Sequence, residues 1–254
     1  MTATIAAIYR HPVKGLSPES LKEAQLKAGL GLANDRRYAL ARASTRFDPQ
    51  NPQWLPKGKF WMLRRDEKLA TLKTEFDDRS SILTVLRDGK QVARGDLSSP
   101  VGRAIIEDFF AAYLKAEARN KPKLVEMPAG RMFSDHKNPV LSIINKASLV
   151  DLQRITKADI DPRRFRGNLL IEGLNPWDEF TWVGRTVKVG GAELEVTAII
   201  DRCAAINVNP DSGVRDMNLV KALHTGFDHV NMGVYARVAS AATIRIGDEV
   251  KAGN

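Results

Sequence analysis

Cysteine is almost absent from this chain of 254 residues, which contains a single one at position 203. One thiol cannot form an internal disulfide bond, and it cannot supply the four thiolates that an iron–sulfur cluster normally takes. No apolar run approaches the ~18 residues of a membrane span, and the N-terminal MTATIAAIYRHPVKG is no secretory signal. These absences favour a cytoplasmic protein without a membrane span, in a compartment where thiols stay reduced.

Several common catalytic motifs are also missing. The chain contains no GxxxxGK[ST], GxGxxG, GxSxG or HExxH pattern, which removes the main signals of nucleotide-binding folds, α/β-hydrolases and zinc proteases. Lysine and arginine outnumber aspartate and glutamate by 39 to 30, and a net charge of +9 favours an anionic partner. The basic residues are scattered and form no recognisable nucleic-acid-binding motif, so we expect no nucleic acid as a partner.

Short strand patterns dominate the chain. Residues 2–10 alternate as a strand does, and hairpins are indicated around the Asp88–Gly89 turn and around the glycine pair at 190–191. Few helical patterns accompany these strands. The sequence therefore predicts a mainly β (α+β) fold of two β-barrel-like modules with a few peripheral helices.

Two of the expected helices have recognisable starts. The first follows Ser99, which can cap it, and Pro100, which suits the first helical position. Its apolar residues recur every four positions and predict the face that packs on the core: Val101, Ile105, Phe109 and Tyr113. The second is expected to start at Ser148, with Asp151 at the capping-box position.

Cys203 is the leading candidate for a functional residue. It follows a predicted strand, so a loop could present its sulfur to a cavity, and the adjacent Arg202 favours the thiolate form. A thiolate can act as a nucleophile or as a soft metal ligand. Most free cysteines are instead small buried apolar residues, and the residues alone leave both interpretations open.

Seven stretches along the chain together resemble the MOSC family. They are IYRHPVKGL, NDRRYAL, NPVLSIINKASL, RFRGNLLIEG, PWDE, DRCAAINVNPDSG and TIRIGDEV. The arrangement is similar to the subgroup with an N-terminal β-barrel extension, which includes the mitochondrial amidoxime-reducing component and bacterial relatives. The resemblance implies a MOSC N-terminal β-barrel-like domain over residues 1–120 and a MOSC domain over residues 121–254.

The resemblance also implies a molybdenum cofactor, molybdopterin with or without an appended nucleotide. Cys203 would be the protein ligand to the metal, and Asp201 would act beside it in catalysis, although relatives have serine at that position. Residues at positions that bind the cofactor in relatives are Lys14, Arg36, Lys137, Asn138, Arg166, Asn168, Arg202 and Tyr235.

The activity implied by the resemblance is reduction of small N-hydroxylated or N-oxygenated compounds. Because the chain has no cysteines for a cluster, electrons would come from a separate ferredoxin-, cytochrome- or flavin-type protein. Two alternatives stay open. Cys203 could carry a persulfide and pass sulfur to metal–sulfur centres, or the chain could bind and deliver the cofactor without catalysis.

Overall fold

The computed structural model of the protein describes residues 2–115 and 120–252. Its helices are α1 (Pro100–Tyr113), α2 (Lys146–Thr156) and α3 (Leu219–Phe227). The strands of the first half are β1 (Ala3–Arg10), β2 (Val13–Lys14), β3 (Glu19–Leu21), β4 (Glu23–Lys27), β5 (Gly31–Leu32), β6 (Tyr38–Ala41), β7 (Leu72–Asp77), β8 (Ile82–Arg87) and β9 (Lys90–Asp96). Those of the second half are β10 (Lys123–Glu126), β11 (Leu141–Asn145), β12 (Leu169–Glu172), β13 (Thr186–Val189), β14 (Ala192–Asp201), β15 (Asn231–Ser240), β16 (Ala242–Arg245) and β17 (Glu249–Ala252).

A closed β-barrel is the largest element of the fold. Its strands follow the order β12, β11, β15, β14, β13, β17 and β1, and antiparallel pairing of β1 with β12 closes the ring. Inward-facing apolar residues alternate along the strands, so Leu194 and Val196 of β14 are fully buried. The mainly β prediction is therefore confirmed, with three-stranded sheets completing the molecule.

The barrel takes a strand from the start of the chain. β1 pairs with β12 and β17, and β4 pairs with β16, so residues 3–27 hydrogen-bond with the C-terminal half. The expected domain boundary near residue 120 separates two stretches of the sequence. In the structure, backbone hydrogen bonds connect these two stretches. The closed barrel therefore includes strands from both halves of the chain.

Helix α1 packs on the β7–β8–β9 sheet through a different stripe from the one predicted. The buried residues are Gly102, Ile106 and Phe110, whereas Val101 is 72% exposed and Ile105 is 46% exposed. The reason is Gly102, where an added Cβ would lie only 2.1 Å from the Asp96 carbonyl oxygen. This close approach turns the helix by about one residue relative to its most regular apolar stripe. Phe109 and Tyr113 pack at the edge of the core.

Helix α2 starts two residues before the predicted position. Asn145 caps it, with its side chain accepting a hydrogen bond from the Ala147 amide at 3.0 Å. The Ser148 hydroxyl is instead buried and donates to the Glu179 carboxylate at 2.9 Å. Across residues 2–115 and 120–252, no helix has the length and apolar character needed to span a membrane.

Candidate active site

A pocket forms where the ends of barrel strands meet loops of the N-terminal half. It contains about 930 Å³ of empty space, part of which is open to solvent. Eight residues predicted from the sequence line it: Lys14, Arg36, Arg166, Asn168, Asp201, Arg202, Cys203 and Tyr235. They come from β2, β15, the end of β14 with the two residues after it, and the turns before β6 and β12, so only the tertiary fold brings them together.

Two predicted residues lie outside this pocket lining. Lys137 and Asn138 are exposed, and the Lys137 ammonium lies 6.0 Å from the centre of the Trp54 ring. The same loop places Ser134 and Asp135 in the pocket lining instead. The sequence therefore indicates the right segment, but the residues that reach the pocket lie two to four positions earlier.

Cys203 lies just beyond the end of β14, one of the two ten-residue strands of the barrel. β14 ends at Asp201, and Cys203 caps the short 3-10 helix Ala204–Asn207 with its thiol partly exposed. Among the described residues, no group of three or more histidine, cysteine, aspartate or glutamate side chains is arranged to hold a metal.

One wall of the pocket carries a buried ammonium group. The Lys14 Nζ donates to the Phe133 carbonyl oxygen at 2.9 Å and to the Asp135 carboxylate at 2.5 Å. Burial lowers the pKa of Lys14, and the neighbouring Asp135 carboxylate opposes that effect. The pairing shows that an anion is the natural neighbour of this ammonium.

Two arginines place their guanidinium groups beside Lys14, and both have a backbone conformation that arginine rarely adopts. Arg36 and Arg166 have φ values of 50° and 52°, in the left-handed region. Arg36 donates to the Arg166 carbonyl oxygen at 2.9 Å, and Arg166 donates to the Leu16 carbonyl oxygen at 2.8 Å. Strain of this kind persists where the surrounding structure requires a particular side-chain placement.

Arg166 keeps one donor without a protein partner. Its Nη2 atom is buried and makes no hydrogen bond to any described residue. Burial, reinforced by the charge of Arg36, lowers the pKa of Arg166 to about 9. A buried, charged N–H without an acceptor is costly, so an anionic ligand that supplies an oxygen here gains a strong hydrogen bond.

A buried histidine–aspartate pair, His11 and Asp35, contacts the guanidinium group of Arg36. The Asp35 carboxylate accepts from the His11 amide at 2.7 Å and also pairs with Arg36. Burial alone would raise the pKa of Asp35, but the Arg36 charge and the His11 contacts hold it well below its usual range. Burial, with the charges of Arg166 and Arg36, lowers the pKa of His11 to about 3, so its ring is neutral.

The side chains of Asn168 and Arg202 form hydrogen bonds with other groups of the protein. The Asn168 side chain accepts from the Ser142 amide at 3.1 Å and donates to the Tyr9 carbonyl oxygen at 3.1 Å. Arg202 donates to the carbonyl oxygens of Met232 and Phe165, the latter at 2.8 Å. Both side chains therefore fix the strand ends that form the pocket wall.

The loop that carries Cys203 is tied to the N-terminal half. Arg215 donates to the Ala204 carbonyl oxygen at 3.0 Å and to the Arg64 carbonyl oxygen at 2.7 Å. Further along, the Lys73 ammonium bonds the Asp211 carboxylate at 2.5 Å. The sequence indicates the turn at Asp211, but it gives no sign of a partner so distant in the chain.

Several pocket residues carry no motif that would have revealed them. They are Lys57, Arg64, Ser134 and Asp135. Arg164, which also lines the pocket, is the first residue of the RFRGNLLIEG stretch, but the sequence does not single it out as a site residue. It is buried and pairs with Asp216 at 2.7 Å.

Two family models match most of the chain. A model described as MOSC domain matches residues 130–251, and one described as MOSC N-terminal beta barrel domain matches residues 2–122. Among solved structures, the YUAD protein from Bacillus subtilis aligns over 99% of this chain and 96% of its own, with 13% identity and a TM-score of 0.48.

Named relatives match parts of the chain. Mitochondrial amidoxime reducing component 2 of Rattus norvegicus is 27% identical over 43% of this chain and 36% of the relative. Mitochondrial amidoxime-reducing component 1 of Mus musculus is 24% identical over 56% of this chain and 44% of the relative. Molybdenum cofactor sulfurase of Caenorhabditis briggsae is 32% identical over 37% of this chain and 14% of the relative. These matches span less than half of each relative's length.

Proposed function

This chain combines a MOSC N-terminal β-barrel domain with a MOSC domain and belongs to the MOSC family, and on that premise we propose that it is a molybdenum-cofactor-dependent reductase of small N-hydroxylated or N-oxygenated compounds. One observation carries the proposal. The thiol of Cys203 shares a pocket with the cations of Lys14, Arg36 and Arg166, and the buried Nη2 atom of Arg166 has no protein acceptor.

The residues present fit a pterin cofactor that ends in phosphate. Cys203 would give the metal one thiolate, and the pterin dithiolene would provide the sulfur ligands that the protein lacks. The three cations would hold the phosphate end, where a guanidinium fork binds phosphate oxygens well.

The proposed reaction is a two-electron cleavage of an N–O bond. An N-hydroxylated substrate takes up two electrons and two protons and leaves as the amine and water. When bound, the molybdenum cofactor would supply the two-electron redox chemistry. The rat relative's name includes amidoxime reduction, which supports amidoximes and related N-hydroxylated bases as the substrate class for this chain.

The chain's own residues would handle the protons. Asp201 is exposed at the end of β14, two residues from Cys203, so its carboxylate can carry protons from solvent to the pocket. Burial raises the pKa of Tyr235, so its phenol keeps its proton and can donate a hydrogen bond to the substrate oxygen. Electrons would arrive from a separate ferredoxin-, cytochrome- or flavin-type protein.

Metal content and turnover test the proposal together. The protein, made in a host that synthesises the molybdenum cofactor, should contain stoichiometric molybdenum and reduce benzamidoxime with a reduced viologen as donor. Cys203→Ala should lower turnover at least ~100-fold, since it removes the metal ligand. Val214→Ala, at an exposed position in the same loop, is the matched control. Undiminished turnover in Cys203→Ala would refute the role of this thiol.

The same preparations distinguish the alternatives. A sulfur carrier would contain sulfide that reducing agents release from Cys203, with no stoichiometric molybdenum. A cofactor-delivery protein would contain molybdenum but show no turnover with any donor. The name of the Caenorhabditis briggsae relative, molybdenum cofactor sulfurase, makes the sulfide measurement worthwhile.

A further inference from the structure

Unneutralised positive charge lies at the mouth of the pocket. Lys57 and Arg64 line the pocket, and Arg65 follows directly. Arg64 and Arg65 are exposed, and neither forms an ion pair with any described residue. Lys57 lies 4.0 Å from the Asp135 carboxylate, which Lys14 already occupies at 2.5 Å. The mouth therefore stays positive even where an acidic residue is present.

An exposed aromatic side chain lies beside a further cation, Lys137. Trp54 is 39% exposed, three residues before Lys57, and the Lys137 ammonium lies 6.0 Å from its ring centre. Lys137 is in turn two residues from Asp135 at the pocket. Tryptophan and arginine are the residues most enriched at the energetically dominant points of protein–protein interfaces. The combination points to a protein partner.

The proposed reaction requires such a partner. Each substrate consumes two electrons, and a single cysteine cannot hold a cluster that would store them. A donor protein has to approach the opening through which the pocket reaches solvent. Opposite charge on the donor would steer its encounter with a positive rim.

We propose that a basic rim formed by Trp54, Lys57, Arg64, Arg65 and Lys137 is the docking surface for an acidic one-electron carrier protein; this rests on the proposed function. The carrier binds in its reduced form, gives up one electron and leaves oxidised. Two such encounters, with two protons from solvent, balance the release of one amine and one water.

Charge reversal at the rim tests the proposal. The variant is Arg64→Glu with Arg65→Glu, and the control is Lys90→Glu with Arg94→Glu, which makes the same charge change at exposed positions of β9. An acidic [2Fe–2S] ferredoxin serves as the probe. The readout is the rate with reduced ferredoxin divided by the rate with reduced viologen, which cancels any effect on the pocket itself.

The rim variant should lower this ratio at least ~10-fold at low ionic strength, and the difference should shrink as salt screens the charges. Trp54→Ala should lower it at all salt concentrations, because an apolar contact is not screened. A ratio equal to that of the control would overturn the proposal.

A direct binding measurement tests the docking surface independently of the proposed catalytic function. Ferredoxin binding to the unmodified protein, followed by surface plasmon resonance, should be weakened in the rim variant and not in the control. If viologen-driven turnover is absent, the proposed function fails, while the binding result still decides the docking surface. Binding unchanged by Arg64→Glu with Arg65→Glu, or a rim that instead pairs two copies of this chain, would refute it.

Discussion

At the scale of single residues, Arg166 combines two costs in one position. Its backbone is left-handed, with φ at 52°, and its buried guanidinium has a donor without a protein acceptor. Each feature destabilises the protein alone by roughly 1–3 kcal/mol. Costs of this kind are expected where a side chain serves a ligand more than the fold.

Arg166→Gln should therefore separate stability from binding. Removal of a buried charge should leave the unfolding free energy of the cofactor-free protein unchanged or higher. The molybdenum content should fall at least ~10-fold, because the phosphate loses a charged donor. Urea unfolding and elemental analysis measure the two effects, with Arg237→Gln in the exposed pair with Glu195 as control. Lower stability with full metal content would contradict this assignment.

His11 makes stability depend on pH in a stated direction. Its pKa is about 3 in the fold and about 6.5 when unfolded, so the unfolded chain binds a proton first as pH falls. The stability contribution is complete above about pH 6.5 and is lost progressively toward pH 3, at about 1.4 kcal/mol per pH unit.

His11→Asn should remove this dependence. Urea unfolding between pH 7 and pH 4.5 should show a shallower fall of unfolding free energy in the variant than in the unmodified protein. Asp35 contributes in the same direction only at lower pH, because its pKa lies below its usual range. Equal slopes for the two proteins would mean that His11 does not titrate as described.

At the scale of elements, the periodic pattern of helix α1 predicts the helix but not which of its faces is buried. The pattern predicts the helix and its start at Ser99, where the hydroxyl accepts from the Gly102 amide at 3.0 Å. Two apolar stripes lie one residue apart on this helix, and periodicity cannot choose between them. The choice depends on Gly102, whose close contact with β9 is a tertiary feature.

A pair of substitutions checks which stripe packs. Ile106→Ala should lower the unfolding free energy by about 2–4 kcal/mol, because Ile106 is fully buried. Val101→Ala should change it by less than about 0.5 kcal/mol, because Val101 is 72% exposed. Urea unfolding measures both free energies. A larger effect at Val101 than at Ile106 would mean that the face predicted from the sequence is the one that packs on the core.

The residues that line the pocket could likewise be predicted from the sequence only in part. Cys203 is a candidate from its own sequence context, whereas Lys14 and Arg36 are indicated only by the family resemblance of the stretches that contain them. These stretches do not indicate Asp135 or Arg64, which reach the pocket only through tertiary packing. In the loop at 134–138, Ser134 and Asp135 line the pocket whereas the predicted Lys137 and Asn138 do not, and no local pattern indicates that difference.

At the scale of the whole molecule, the barrel joins both halves of the chain. β1 fills the position between β12 and β17, and without it both neighbours would have unpaired edges. A fragment of residues 120–252 should therefore show no cooperative thermal unfolding by near-ultraviolet circular dichroism. Supplying residues 2–32 as a separate peptide should restore the transition, and a cooperative transition in the fragment alone would contradict this account.

The same pairing has a consequence for protein synthesis. β1 leaves the ribosome well before its partner β17 has been made. The nascent chain must leave this edge of β1 unpaired until β17 has been made, which makes that interval the natural point for chaperone protection. Any prosthetic group held between the halves would accordingly enter only after β17 has been made.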